Sequence, residues 1–356
     1  MQSKEEKIKN FDPNGFSTND NLFGLPFNKQ ESEIIIIPVP WEVTVSYAAG
    51  TANAPEAILE ASSQVDLMDP YIKDAWKLGI YMDPVSDEIR AKSDALREKA
   101  AFFIDELTSG KNPETPALKE ILNEVNAGSL ALNKWVKSEV LKNLEQGKAV
   151  GMVGGDHSTP LGFMQALAEK YDSFGILQID AHADLRQAYE GFEFSHASIM
   201  YNALKIKQVS KLVQVGIRDY CEAEAHIIKN SKGRVATFFD RDIKHYQYEG
   251  KTWKEICLEI ISTLPENIYL SFDIDGLDPK LCPNTGTPVS GGFETEQVLY
   301  LLQMVAESGK KIIGWDLNEV SPGQDEWDAN VAARLLYRIS NIMAKSLNLS
   351  QKLEIA

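Results

Sequence analysis

Short, almost wholly apolar segments recur down this chain, and stretches of helical spacing separate them. Residues 33–39, 149–153, 174–180, 211–217, 235–239, 268–274 and 311–318 are runs of this kind, and residues 77–82 are a weaker candidate. Strands apolar on both sides have no solvent-facing side, so each face of their sheet must be covered. The intervening residues 54–62, 160–171, 222–230, 253–263, 295–307 and 326–346 repeat apolar residues every three to four positions, as amphipathic helices do. The pattern predicts an α/β fold, with a mostly parallel sheet between two layers of helices. Residues 88–107 and 117–146 predict two longer helices, joined by a link containing Gly110, Pro113 and Pro116. Residues 1–32 read as an irregular N-terminal arm. The strand–helix rhythm shows no second boundary, so residues 33–356 are expected to form a single domain.

The chain has 356 residues, of which 44% are hydrophobic and 25% charged, enough to build a sizeable core. Its formal net charge of −16 repels phosphate backbones and anionic membrane surfaces, which argues against nucleic acid and membrane partners. The longest apolar run, near residues 34–41, is broken by Pro38 and Pro40 and falls far short of the roughly 20 residues of a membrane span. The polar first thirty residues do not resemble a secretion signal. Cys221, Cys257 and Cys282 form no CxxC pair and fit reduced thiols of a cytoplasmic protein.

Three of the strand ends carry chemistry. They read Gly154-Gly155-Asp156-His157-Ser158, Asp180-Ala181-His182-Ala183-Asp184, and Ser271-Phe272-Asp273-Ile274-Asp275-Gly276-Leu277-Asp278-Pro279. Side chains two apart in extended backbone share a side. Asp180, His182 and Asp184 are therefore expected to face one site, and Asp273 and Asp275 likewise. With His157 they supply two imidazoles and four carboxylates but no thiolate. Such a donor set suits a pair of hard or borderline divalent cations, which can generate a nucleophile from water near neutral pH. A single Asp-x-Asp at a strand end is usually turn chemistry. Three such segments at carboxyl ends, where open α/β sheets bind ligands, argue together for a site.

In these segments the chain resembles the ureohydrolase superfamily of arginase, agmatinase and their relatives. The signatures GGDHS, DAHxD and SxDxDxxDP stand intact, and the resemblance runs from about residue 33 to 346. It implies an arginase-like three-layer α/β/α fold around a sheet of about eight strands. It also implies two divalent metal ions, manganese first and nickel as the alternative, and hydrolysis of a small cationic guanidino compound to urea and an amine or ammonia. By position, one ion would be held by His157, Asp180, Asp184 and Asp273, and the other by Asp180, His182, Asp273 and Asp275. Asp156 and Asp278 match the signatures but are not family ligands. His196 resembles the family's proton-shuttling histidine, and Glu319 the glutamate that grips the guanidinium; Asp184 would serve both metal and proton transfer. A homo-oligomer, trimeric or hexameric, is likewise implied.

The chain departs from the family pattern in places. The His196 segment reads Ser195-His196-Ala197-Ser198, where agmatinase-like members have glycine after the histidine. No arginase-type segment for an α-amino acid stands between residues 185 and 195, which disfavours L-arginine and leaves agmatine, guanidinobutyrate and guanidine. Trp41, Thr44, Tyr47 and Trp315 are bulky or polar residues near the strand ends. They can narrow a pocket, although core packing is the expected role of the aromatic ones. The alternatives are a formimidoylglutamase-type hydrolase releasing formamide, for which Arg186 and Arg218 are the available cations, and a non-catalytic metal-binding relative. His226 and His245 are expected at the surface.

Overall fold

The computed structural model describes residues 2–15 and 20–353. The other positions of the 1–32 arm and the 33–356 domain lie outside the described residues. In chain order the elements begin with α1 (Lys4–Asn10), β1 (Ile34–Pro38), α2 (Ala54–Ser62) and β2 (Ile80–Met82). Two long helices follow, α3 (Asp87–Thr108) and α4 (Pro116–Glu145). Next come β3 (Ala149–Val153), α5 (Leu161–Lys170), β4 (Phe174–Ile179), α6 (Ile199–Ala203), β5 (Val209–Ile217) and α7 (Glu222–Asn230). The chain continues through β6 (Val235–Phe239), α8 (Asp240–Tyr248), α9 (Trp253–Thr263), β7 (Asn267–Asp273), α10 (Thr295–Glu307), β8 (Lys311–Asn318) and α11 (Trp327–Ser346).

The strands form one 8-stranded sheet in the order β2-β1-β3-β8-β7-β4-β5-β6. Every pairing in it is parallel. Alternate side chains divide between the two faces. In β7, Ile268, Leu270 and Phe272 join one apolar cluster with residues of α2, α9, α10 and α11, while Tyr269 joins the other. In β4, Leu177 and Ile179 go to the first face and Phe174 and Ile176 to the second, against α3, α4, α5 and α6. This is the three-layer α/β/α arrangement expected from the apolar runs. Among the described residues no helix is long and apolar enough to cross a membrane.

Several parts of the fold were not foreseen, the short helix α6 among them. The stretch read as irregular contains α1, whose 7 residues bury nothing and so have no apolar rhythm; its marker is the Ser3–Glu6 capping box. Farther along the same stretch, Leu22, Phe23, Leu25 and Phe27 are buried in the core despite their irregular backbone. Helix α8 follows β6 without a loop and is mostly polar, with only Asp240 and Ile243 buried.

Candidate metal centre

Strands β3, β8, β7 and β4 are neighbours at the middle of the sheet, and the signature residues leave from their carboxyl ends. After β3 the chain turns sharply against the segment that follows β1. The N–H of Gly155 donates to the Val39 carbonyl at 3.0 Å and that of Asp156 to the Trp41 carbonyl at 2.9 Å. A Cβ on Gly155 would lie 1.8 Å from the Trp41 oxygen, so no larger residue fits this turn. The turn delivers His157, fully buried, to the sheet edge.

The extended-backbone expectation for the aspartates needs correction. Strand β4 ends at Ile179, and Asp184 has a left-handed backbone with φ 54°. Its carbonyl accepts the N–H groups of Met200 and Tyr201 at 3.0 and 3.2 Å, which offsets the strain of that conformation. Strand β7 ends at Asp273, and a 3₁₀ turn over Ile274–Gly276 follows, in which Asp273 Oδ1 accepts the Asp275 N–H at 2.8 Å. Turns therefore aim these carboxylates.

The donor atoms fall into two groups that share Asp180. His157, Asp180 and Asp273 present ligand atoms within 4.8 Å of one another, as do Asp180, His182 and Asp275. His157 Nδ1 lies 3.1 Å from Asp180 Oδ2, 3.1 Å from Asp184 Oδ2 and 3.3 Å from Asp273 Oδ2. His182 Nδ1 lies 2.9 Å from Asp275 Oδ2 and 3.7 Å from Asp180 Oδ1. The structure thus brings together all six residues singled out from the sequence.

The electrostatics of the cluster require balancing cations. Four buried carboxylates stand together, and burial penalises each charge. Burial and the neighbouring Asp180 push Asp184 up to about 7. Burial and Asp275 also raise Asp180, and burial with Asp275 and Asp180 raises Asp273 well above the carboxylate range. Asp275 instead falls to about 2: burial is outweighed by His182, the Ala181 N–H and Arg218. Against the cost of burial, His182 is raised to about 11 by Asp275, Asp180 and Asp184, and His157 well above its ordinary value by Asp180, Asp184 and Asp273. Protons and divalent cations are the two ways to balance such a cluster. The buried His157 Nδ1 makes no hydrogen bond and points among three carboxylate oxygens, as a metal-ligating nitrogen would. The residues fit a pair of divalent ions with oxygen and nitrogen ligands.

Supporting residues hold this set in place: Ser271, which opens the third signature, and Asp316, Gln178 and Gln214, which lie outside all three. His157 Nε2 lies 2.8 Å from Ser271 Oγ, which donates to Asp316 Oδ1 at 3.1 Å. Gln178 donates to Asp180 Oδ2 at 2.8 Å, and Gln214 donates to Gln178 at 2.7 Å. Partners of this kind orient metal ligands. They had a signal in the sequence: each is a polar residue inside an otherwise apolar strand.

Glu319, just past β8, also has a left-handed backbone, with φ 62°. Its N–H donates to the Gly155 carbonyl at 2.9 Å, and its Oε1 accepts the His157 N–H at 2.7 Å. Burial and the nearby Asp156 raise its pKa well above the usual range. His157, His182, Asp184, His196, Asp273 and Glu319 all line one cavity of about 480 Å³. Burial, together with the positive His182 and His157, lowers His196 to about 4, so its ring is neutral at physiological pH. The Tyr189 ring meets it edge-on at 5.8 Å, and the Arg186 guanidinium lies 5.1 Å from the Tyr189 ring centre.

The remaining candidates also find places. Asp156 is buried and accepts the Ser158 N–H at 2.9 Å, and the less buried Asp278 accepts the Lys280 N–H at 3.0 Å. Both are turn contacts. Trp41, Trp315 and Thr44 are buried, as packing residues are. Tyr47 overturns the packing expectation: it is 75% exposed and lines the cavity mouth, because the loop that carries it stands clear of the sheet. Arg218 donates to the carbonyls of Asp275, Leu277 and Val289 at 2.6, 3.1 and 3.0 Å, so it braces the β7 turn. His226 and His245 are both exposed, as expected.

The model of the Arginase family matches residues 32–341. The N(1)-aminopropylagmatine ureohydrolase of Thermus thermophilus is 31% identical over 308 residues, covering 86% of this chain and 89% of that protein. The agmatinase of Halalkalibacterium halodurans is 28% identical, covering 84% of this chain and 87% of its own. Among solved structures, the agmatine ureohydrolase of Thermoplasma volcanium superposes with a TM-score of 0.69 at 21% identity, covering 97% of this chain and 99% of that one.

Proposed function

Because the chain belongs to the arginase family, we propose that its cavity hydrolyses the C–N bond of a small guanidino compound, giving urea and an amine or ammonia. It is a ureohydrolase. The observation that carries the reading is the position of Glu319. Its carboxylate lines the same cavity as the shared His–Asp cluster, with Oε1 held by the His157 N–H. A carboxylate facing a planar cation makes a charge-assisted contact that fixes orientation as well as affinity.

We assign His157, Asp180, Asp184 and Asp273 to one divalent ion, and Asp180, His182, Asp273 and Asp275 to the other, with manganese preferred to nickel for this oxygen-rich set. When bound, the ions supply Lewis acidity and a water acidic enough to act as nucleophile near neutral pH. The protein's own groups do the rest. Glu319 holds the guanidinium with its carbon toward the cluster. Asp184, tuned by burial and by Asp180, stands where a proton can pass to the leaving nitrogen. His196 lines the cavity beside the cluster, and we assign it the outward proton relay. Asp219 and Glu224 also line the cavity, with Glu224 3.9 Å from Arg186, so the carboxylates of the wall accord with a cationic substrate.

The formimidoylglutamase alternative loses support from Arg218. That reaction requires cations for two distal carboxylates, and Arg218 is spent on backbone carbonyls. The three cysteines are free thiols, in keeping with a cytoplasmic enzyme, and a homo-oligomer is the assembly we propose from the family resemblance. The test is chelation, followed by return of manganese or nickel, with urea and formamide measured from agmatine, guanidinobutyrate, guanidine and formimidoylglutamate. Metal-dependent urea release from a guanidino compound is expected. Formamide alone, or no product from any of the four, rejects the assignment.

A further inference from the structure

Helix α3 stands outside the sheet, yet one stripe of it reaches the loop that lines the cavity. Arg90, Ser93 and Arg97 recur at helical spacing and so share a face. All three grip the loop that follows β1. Ser93 Oγ accepts the Glu42 N–H at 3.1 Å. Arg97 donates to the carbonyls of Val43 and Val45. Arg90 donates to the Ala52 carbonyl and the Asn53 side chain, both at 3.1 Å. The loop is also cross-tied within itself: Glu42 Oε2 accepts the N–H of Gly50 at 2.7 Å, the Thr51 hydroxyl at 3.1 Å and the Ala52 N–H at 3.2 Å.

Between these ties residues 46–49 stand exposed, and Ser46 and Tyr47 line the cavity. The loop comes close to the proposed guanidinium position. A Cβ on Gly286 would lie 3.6 Å from the Ala48 carbonyl and 3.7 Å from Glu319 Oε2. A substrate whose guanidino group meets Glu319 therefore has this loop as one wall, and its tail leaves past Ser46 and Tyr47.

We propose that Arg97, aided by Ser93 and Arg90, is a positioning residue that holds residues 46–49 as a fixed wall, and that through Tyr47 this wall favours tailless or short-tailed guanidino compounds over long-tailed ones. The inference rests on the ureohydrolase reading and adds the determinant of substrate size. Nothing in it requires Arg97 to touch substrate. A loop held at both ends loses little further entropy when a ligand packs against it, whereas a released loop can swing aside for a longer tail.

The test compares the metal-loaded wild-type enzyme with Arg97→Ala, Arg97→Lys and Tyr47→Ala. Urea release is measured from guanidine, guanidinobutyrate and agmatine, with kcat and KM separated. Removing the clamp or the tyrosine is expected to raise the ratio of kcat/KM for agmatine to that for guanidine about tenfold, chiefly through KM. Lysine can keep the charge but cannot span both carbonyls, so Arg97→Lys should behave like Arg97→Ala. It stands in for the alanine variant if that one folds poorly. Bound metal should be unchanged in all three. A ratio unaltered in Tyr47→Ala or in the soluble Arg97 variants overturns the clamp while leaving the ureohydrolase reading intact. No urea from the wild-type enzyme with any compound overturns both.

Discussion

Glu319 Oε1 accepts the backbone N–H of His157 at 2.7 Å, and the Glu319 N–H returns a bond to the Gly155 carbonyl at 2.9 Å. The end of β8 is thereby locked to the end of β3, and the proposed substrate carboxylate is locked to a proposed metal ligand. The left-handed backbone at Glu319 is the conformation that permits both bonds. Strain at such a position persists only where the surroundings enforce it, and here two hydrogen bonds to one turn do so.

Glu319→Gln should separate binding from folding. Glutamine keeps an oxygen for the His157 N–H, so thermal stability and bound metal should change little. The charge facing the guanidinium is lost, and removing one partner of a buried charge pair costs about 2–5 kcal/mol. The measurement is kcat/KM for urea release alongside a melting curve. Retention of near-wild-type kcat/KM would remove Glu319 from the substrate site.

Ser271→Ala leaves every proposed ligand in place but breaks the path from His157 Nε2 through Ser271 to Asp316. Loss of such an orienting partner typically weakens metal affinity about 10- to 100-fold. Competition with a chelator of known affinity measures it. An unchanged affinity would make the Ser271–Asp316 pair a packing feature.

Protons and metal ions should compete for the cluster. Asp184 at about 7 and His182 at about 11 both lie above their unfolded values. The stabilisation from the bound protons is complete below those unfolded values. It is lost through the window up to about 7 for Asp184, and from about 6.5 to about 11 for His182. Metal-free protein should therefore lose stability as pH rises above about 4. Because ligands must shed protons to bind metal, the rise in Tm on adding manganese should grow between about pH 5 and pH 8. Melting curves with chelator and with manganese across that range decide it. A metal-induced shift that shrinks with rising pH would contradict the assigned ligands.

Phe103 is the buried anchor of α3, with its ring 5.4 Å from that of Phe192, in the loop between Asp184 and His196. Phe103→Ala should destabilise the fold by about 3–5 kcal/mol, as emptied aromatic sites do. Denaturant unfolding of the metal-loaded protein measures it. A loss under about 1 kcal/mol would mean that α3 is held by its other contacts.

The layered α/β architecture was legible in the residue order because strands buried on both faces must be nearly all apolar, and Ile34–Pro38 and Ala149–Val153 read that way without neighbours. The six proposed ligands were legible for a related reason: a polar cluster at the end of an apolar run has few structural uses. Short α1 and polar α8 escaped notice because neither carries an apolar stripe. Tertiary structure alone decided how the donors are aimed. The left-handed backbone of Asp184, the turn after Asp273 and the close approach of Gly155 to Trp41 are set by chain segments far apart in sequence. The placing of Tyr47 at the cavity mouth is of the same kind, for it depends on Arg97 meeting Val43 and Val45. A sequence records which side chains are present and their local spacing; contacts between distant segments arise only when the sheet has ordered its strands.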